Sequence, residues 1–481
     1  MTNKRRPKTL AMPIRASPYA HQRAAFDMAL NLFGVSGDMR SSGMALLADM
    51  GTGKSLTAIA ITGALYQAGR IHRTLIVAPL SILGVWQEEF DKFAGFPFVL
   101  NVLSGTAAKK TETLRAMTGS TLQAAVVNYE SAWRLEREII AWKPDLIIAD
   151  EGHKIKTHNT RASKAMHRIG GKAAYRLLLT GTPITNKALG LFSQYKFLNP
   201  AIFGGNFYAF RNRYFDMMGY GLYTPVLKKH MEPELQERMH SVAFVARKAD
   251  CLDLPETTDT IRYVDLEPKA ARVYRDLVRE SIASLDKGEV TVTNVLTRLL
   301  RLSQLTGGFL TDDADGMPQQ VSSTKLDALE DILDSTLEEG RKLVVVARFV
   351  PEINAICKLL DKHSAAYSLI KGGVADRSGQ VSRFQNDPNC MVFVGQIATA
   401  GMGITLTAAS LMVFFSLDYS MSNFQQARAR IHRVGQRESC QYIYLAVRGT
   451  VDERVLQALR DKTDLAKALI DDYRKGANPF Q

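Results

Sequence analysis

The sequence is poor in several things at once. It carries four cysteines in 481 residues. These are Cys251, Cys357, Cys390 and Cys440, far apart and with no C-x-x-C pair. That spacing excludes a disulfide scaffold and a clustered thiolate site for zinc, and it suits a reducing compartment. No apolar run approaches the roughly 18 residues that a bilayer span requires. The opening, MTNKRRPKTL, is charged with no apolar segment behind it, which excludes a secretory signal there. Short repeats and low-complexity segments are missing. Acidic residues are also short: 48 Asp and Glu stand against 61 Lys and Arg, a net charge of +13. Such an excess favours a polyanionic partner, nucleic acid before an anionic membrane.

What is present reads as a globular α/β protein. With 46% hydrophobic and 23% charged residues, the chain is too long for one ordinary core, and two domains of roughly 200 residues are expected. The runs "MALLA" (44–48), "TLIVA" (74–78), "AAVVN" (124–128), "DLIIAD" (145–150) and "YRLLLT" (175–180) predict strands buried on both faces. A second series follows: "KLVVVA" (342–347), "AAYSLI" (365–370), "CMVFVG" (390–395), "LMVFFS" (411–416) and "QYIYLAV" (441–447). Helical spacing lies between the runs, so each series predicts a parallel sheet covered by helices. Residues 187–340, rich in aromatics and charge, are expected to form helical insertions and the connection. The stretch "VDERVLQALRDKTDLAKALIDDYRK" predicts a closing helix or helix pair.

"ALLADMGTGKSLTAIA" (45–60) nearly spells a phosphate-binding loop, but Ala48 stands where the pattern G-x-x-x-x-G-K-S/T wants its first glycine. The context favours the loop. A buried strand runs into it, a helix follows, and Gly51 and Gly53 supply permissive backbone around Lys54. Lys54 would then bridge the β- and γ-phosphates and Ser55 would ligate magnesium. The second requirement is a carboxylate at the end of another core strand. "DLIIADEGH" provides Asp150 to hold the metal and Glu151 to orient and deprotonate water. Alone, Asp-Glu would read equally well as a solvated turn.

With these motifs in place the chain resembles the Swi/Snf group of superfamily-two helicase-like ATPases. The resemblance rests on "DMGTGKS", "DEGH", "LLLTGTPITN" (177–186), "AGMGITLTAA" (400–409) and "QARARIHRVGQ" (426–436), in order. "LIVAPLSILGVWQEEFDKF", "VVNYESAW", "RKADCLDLPE" and "YSLIKGGVADRSGQVSRFQND" resemble the family's flanking segments, so the likeness spans roughly residues 18–455. It implies two tandem RecA-like domains, parallel sheets flanked by helices, with helical insertions between them and a C-terminal helix. The expected division is a basic tail (1–17), an ATP-binding domain (18–255), a second helicase domain (256–455) and a closing helix (456–481).

The resemblance also implies roles. Gln22 of "PYAHQRAAF" reads the adenine edge, and a nearby Tyr or His packs the base. Asp49, Met50, Gly51, Thr52, Gly53, Lys54 and Ser55 hold the triphosphate. Thr180 and Thr182 of "LTGTP" couple hydrolysis to movement. Arg430 and Arg433, three apart and so on one face of a helix, become arginine fingers, while Arg428 lies off that face and reads as a solvated charge. Gln426 leads that motif. Gly401 and Gly403 let backbone approach the ligands; Thr405 replaces the usual asparagine, and Gly152 the usual alanine of the acidic box. Pro79 and Ser81 of "PLS", Lys156, Asn159, Arg348, Lys371 and Gly372 contact the DNA backbone. Arg5, Arg6 and Lys8 read as extra contacts or as a solvated arm.

The implied function is ATP-dependent translocation on double-stranded or branched DNA without sequence preference, with ATP and Mg2+ as cofactors and hydrolysis at the interface of the two lobes. The alternatives are a strand-separating DNA or RNA helicase and a noncatalytic ATP-dependent clamp. Intact Lys54, Glu151, Arg430 and Arg433 argue against the clamp. The chain reads as a monomeric, nearly bare motor without a membrane role. It is expected in the cytoplasm of a bacterial or phage-infected cell, or in the nucleus if eukaryotic.

Overall fold

The structure, a computed structural model, describes residues 10–181, 188–218, 224–286, 292–311, 317–374, 376–400, 403–461 and 465. The chain divides between Asp253 and Leu254 into two compact units. The first unit contains β1 (Gly43–Ala48), β2 (Arg73–Ala78), β3 (Phe98–Val102), β4 (Leu122–Asn128), β5 (Leu146–Ala149), β6 (Tyr175–Thr180), β7 (Phe215–Met218), β8 (Thr224–Leu227) and β9 (Ala243–Ala246). Seven of these form one sheet in the order β3-β4-β2-β5-β6-β1-β9. All its pairings are parallel, with registers such as Leu46 opposite Leu179 and Ile76 opposite Ile148. β7 and β8 form a separate antiparallel hairpin.

The apolar runs explain why the sheet is parallel and central. In β1, Met44 and Leu46 join one core while Ala45 and Leu47 join another on the opposite face. Strand side chains alternate between faces, so a strand must be apolar throughout when helices cover both sides. Helix Lys54–Gln67 is one such cover, with every residue from Leu56 to Leu65 buried. Each fully buried Val, Leu or Ile contributes about 1.5–3 kcal/mol of transfer free energy. Ahead of the first helix, Pro13–Arg15 packs on the unit through Gly95 N–H to Pro13 O (3.0 Å) and Arg15 N–H to Phe93 O (2.9 Å).

The second unit contains β10 (Thr257–Val264), β11 (Phe309–Thr311), β12 (Pro318–Gln320), β13 (Leu343–Ala347), β14 (Tyr367–Ile370), β15 (Val392–Gln396), β16 (Leu411–Phe414) and β17 (Cys440–Val447). Its six-stranded sheet runs β10-β17-β16-β13-β15-β14, again with parallel pairings throughout. Val344 and Val346 face one core, Val345 and Ala347 the other.

The region expected to form helical insertions and the connection, 187–340, holds more than helices. It holds long helices such as Thr324–Glu338, but also the hairpins β7–β8 and β11–β12 and two sheet-edge strands, β9 and β10. The edge strands escape an apolar-run search because one side faces solvent; β10 begins with four exposed residues. Helix Val451–Arg460 closes the described part of the second unit. Apart from Asp461 and the buried Leu465, the rest of the expected C-terminal helix lies outside the described residues, as do Arg5, Arg6 and Lys8.

Candidate active site

Strands β5, β6 and β1 are neighbours, so the loops leaving their carboxyl ends converge, the usual location of ligands in parallel sheets. The loop after β1 turns on Gly51 and Gly53, whose φ angles of 85° and 83° lie in the left-handed region. At Gly53 a Cβ would also overlap the Gln22 amide nitrogen, so glycine is required there twice over. Lys54 opens the following helix, and its Nζ donates to Ala48 O (2.8 Å) and Asp49 O (3.2 Å). Ala48 thus serves through its carbonyl, which explains why a residue other than glycine is accepted at that position. Thr52 Oγ1 donates to Asp49 O (2.7 Å), and Asp49 Oδ2 accepts the Lys248 N–H (2.9 Å). Met50 packs near Gly181 after β6, where a Cβ would approach Met50 Cγ at 2.9 Å and Lys54 Nζ at 3.4 Å. Ser55 follows Lys54 in the first turn of that helix.

Gln22 is 4% exposed. Its Nε2 donates to Thr52 O (3.0 Å) and its Oε1 accepts the Tyr19 N–H (2.9 Å). Both ends of the amide therefore brace the phosphate loop and the start of the first helix. Tyr19 and His21 stack at 5.9 Å beside it, and His21 Nε2 shares the Thr52 carbonyl (2.8 Å).

Asp150 leaves β5 into a buried pocket. Its Oδ2 accepts from Trp86 Nε1 (3.0 Å), its Oδ1 from the Glu151 N–H (2.9 Å), and its carbonyl from the Tyr129 hydroxyl (2.7 Å). Burial first, then the Glu151 charge, pushes the Asp150 carboxyl up to about 7, while the Lys54 ammonium pulls the other way. Lys54 and the acidic pair thus share one electrostatic site. Glu151 is held at φ 49°, rare for a residue with a side chain, and its Oε2 lies 3.2 Å from His153 Nδ1. Gly152 faces β6 so closely that a Cβ would overlap Leu178 Cγ, a local reason for glycine in place of alanine. Neither Trp86 nor Tyr129 was picked out from sequence, although both lie in the quoted family-like segments.

The site fits a magnesium-bound nucleotide triphosphate on its own chemistry. It offers a positive-φ glycine loop, a helix N-terminus, an ammonium, and a buried carboxylate whose charge a cation would offset. Ser55 Oγ and Asp150 would hold the metal.

The other candidates of this unit fall on neighbouring strand ends. Pro79 follows β2 and starts a short turn, Leu80–Ile82, that contains Ser81. Lys156 and Asn159 are exposed after the acidic box. Thr180 ends β6, buried opposite Leu47. Thr182 and Gly401 lie outside the described residues.

In the second unit, two candidates meet around one side chain. Gln396 ends β15; its Oε1 accepts the Gly372 N–H (3.3 Å) after β14, and its Nε2 donates to Arg348 O (3.3 Å) after β13. Lys371 Nζ donates to Asn354 Oδ1 (2.8 Å). The fully buried Glu352 accepts the Arg348 and Phe349 N–H groups (3.2 and 3.0 Å) and the Ser416 hydroxyl (2.6 Å). The Arg348 guanidinium lies 3.9 Å from the Tyr419 ring centroid. Sequence reading missed Gln396, whose partners follow other strands, and Glu352, whose burial and bond to Ser416 across 64 residues of chain do not show locally.

Two expectations about the arginine motif need correction. The helix Met421–Arg428 ends before Arg430, so Arg430 and Arg433 lie in the turns that follow rather than on one helix face. They converge nonetheless: one NH1 of each donates to Ile404 O, at 3.3 and 3.2 Å. Arg428 is not a solvated charge. It pairs with Asp259 (NH2 to Oδ2, 3.0 Å) and lies 3.9 Å from the Tyr442 ring centroid. Its partners sit 14 to 169 residues away, beyond the reach of helical spacing. Gln426 Nε2 donates to Ser422 Oγ (3.3 Å), and Gly403 has φ 62°. Gln436, the end of "HRVGQ", is structural: its amide donates to Ala409 O (2.8 Å) and Ile431 O (3.1 Å) and accepts the Arg437 and Glu438 N–H groups (2.9 and 3.0 Å).

Comparison with known proteins decides the family. The SNF2-related domain matches residues 27–307 and the helicase conserved C-terminal domain matches 324–435. The chain belongs to the SNF2 family. Among its SNF2 relatives, an uncharacterized ATP-dependent helicase of Mycoplasma pneumoniae is 27% identical over 436 residues, covering 89% of this chain and 40% of that protein. The DNA repair and recombination protein RDH54 of Saccharomyces cerevisiae is 25% identical, covering 90% and 52%. The chromodomain-helicase-DNA-binding protein 1-like of Mus musculus is 25% identical, covering 88% and 47%. The chain therefore spans about half the length of these curated relatives. Among solved structures, the Sulfolobus solfataricus SWI2/SNF2 ATPase core in complex with dsDNA is 26% identical, covering 98% of this chain and 96% of that one, with a TM-score of 0.47. Among the described residues no helix is long and apolar enough to cross a membrane.

Proposed function

We propose that this SNF2-family chain is a DNA-dependent ATPase that translocates along double-stranded DNA, remodelling DNA structures or protein–DNA complexes. The observation that carries the reading is the convergence of Lys54 with Asp150 and Glu151 at the ends of adjacent strands, close enough for the three charges to influence one another.

Lys54 carries positive charge to the transferred phosphoryl group, and the glycine loop offers it backbone N–H groups. Glu151 takes a proton from the attacking water and orients it. Asp150 stays anchored by Trp86 and Tyr129, so its carboxylate keeps one direction through the cycle. Bound magnesium supplies neutralisation of the developing phosphate charge. Arg430 and Arg433 act as arginine fingers, a contribution of roughly 10³–10⁵ in rate where such residues operate. Pro79, Ser81, Lys156, Asn159, Arg348, Lys371 and Gly372 take the DNA backbone, which gives register without sequence preference.

Displacement of a third strand from a triplex on blunt duplex DNA tests the translocase directly. ATP-dependent displacement from the triplex, without separation of the underlying duplex, is expected. Separation of a forked duplex would favour the strand-separating helicase instead.

A further inference from the structure

The positive charge of this chain is not spread evenly. From Gly152 to Phe215 it carries eleven Lys and Arg and no Asp or Glu, against a net +13 for the whole sequence. Some of these cations have structural work. Arg168 pairs with Glu136, Arg213 with Glu234, and the buried Arg176 donates to the Leu198 carbonyl (2.8 Å). Others cluster near His158 and Phe207, where Lys196 Nζ donates to Gly205 O (2.8 Å) and Arg211 NH2 to Asn212 Oδ1 (3.2 Å). His158 stacks on Phe207 with centroids 3.7 Å apart and planes at 15°. Phe192 lies 6.2 Å from His158, and Lys196 Nζ sits 5.6 Å from the Phe192 centroid. Tyr208, adjacent to Phe207 and 62% exposed, lies 5.2 Å from the Arg211 guanidinium. Partial burial, then the Lys196 and Lys164 charges, depresses the pKa of His158, so both lysines add to the positive potential at the stack. Among the described residues no carboxylate pairs with Lys164, Lys196 or Arg211.

Holding like charges together without counter-ions costs stability unless a polyanion supplies the missing charge. The components are also specific: cations interleaved with an exposed aromatic ring, joined to the acidic-box loop through Lys156, whose Cβ lies 3.2 Å from where a Gly190 Cβ would stand. We infer that Lys164, Lys196, Tyr208 and Arg211 form a second DNA-backbone contact, beyond that of the motif residues, which holds a further stretch of the polynucleotide on the first unit. The inference rests on the reading of the chain as a DNA motor.

The test is the salt dependence of duplex DNA binding by the full chain. Each phosphate contact contributes about 0.9 to the slope of log K against log salt. A variant with Lys164→Gln, Lys196→Gln and Arg211→Gln should lose about 2–3 from that slope. It should bind at least tenfold more weakly at low salt. A control with Lys109→Gln, Arg115→Gln and Arg137→Gln removes the same charge from exposed sites elsewhere on the unit and should lose less than about 1. Circular dichroism confirms that both variants are folded. Equal slopes for the two folded variants would overturn the second contact. Failure of the wild type to bind DNA at all would instead overturn the motor reading on which it rests.

Discussion

At the scale of single residues, the chemistry should fail in separable ways. Lys54→Ala and Glu151→Gln should each reduce ATP turnover by at least about 10²-fold. Glu151→Gln should still bind nucleotide, because Glu151 acts on water rather than on phosphate; a fluorescent ATP analogue measures this. Asp150 adds a pH dependence. Its folded carboxyl sits near 7 against an ordinary 3.8, raised by burial and then by Glu151. The folded protein therefore binds the proton more tightly than the unfolded chain does, and stability contributed by the protonated form is lost as pH rises from about 4 to about 7. Asp150→Asn removes that titration. Its melting temperature relative to wild type, without nucleotide, should be higher at pH 8 than at pH 5, by about 2–4 °C per kcal/mol recovered. In the wild type, proton and cation compete for the same oxygens, so turnover at limiting magnesium should fall as pH drops below about 7. These functional side chains were legible in the sequence because strand end, glycine turn and helix start are contiguous. The braces were not. Trp86 reaches Asp150 across 64 residues of chain, and Gln22 reaches the phosphate loop across 30.

At the scale of elements, the candidate DNA contacts depend on cross-strand ties. Gln396→Ala removes the bridge between the ends of β13 and β14 and should cost about 1–3 kcal/mol in denaturant unfolding, at roughly 0.5–1.5 for each hydrogen bond. DNA affinity should fall with it, since Arg348 and Gly372 lose a common anchor. Arg428→Leu strips Asp259 of its charged partner, leaving it the Tyr444 hydroxyl, and should destabilise the second unit by roughly 1–3 kcal/mol. The same ties show where sequence reading stops. Strands buried on both faces, such as β1 and β13, announce themselves as unbroken apolar runs. The edge strands β3, β9 and β10 carry polar and exposed positions, so only their neighbours reveal them. Helical spacing put Arg430 and Arg433 on one face, but the helix stops at Arg428, and it is a shared carbonyl that gathers them.

At the scale of the whole molecule, each unit has its own parallel sheet and its own core. Arg430→Ala and Arg433→Ala proteins should fold and bind ATP, with turnover and DNA stimulation lost together, because the lost interaction belongs to the transition state. Duplex DNA is expected to drive this ATPase. Steady-state ATP turnover measured with duplex DNA of unrelated sequences, single-stranded DNA and RNA tests it most directly. Many-fold stimulation by every duplex, little by RNA, and loss of that stimulation in Arg433→Ala are expected. Turnover indifferent to DNA, or raised equally by RNA, would contradict it.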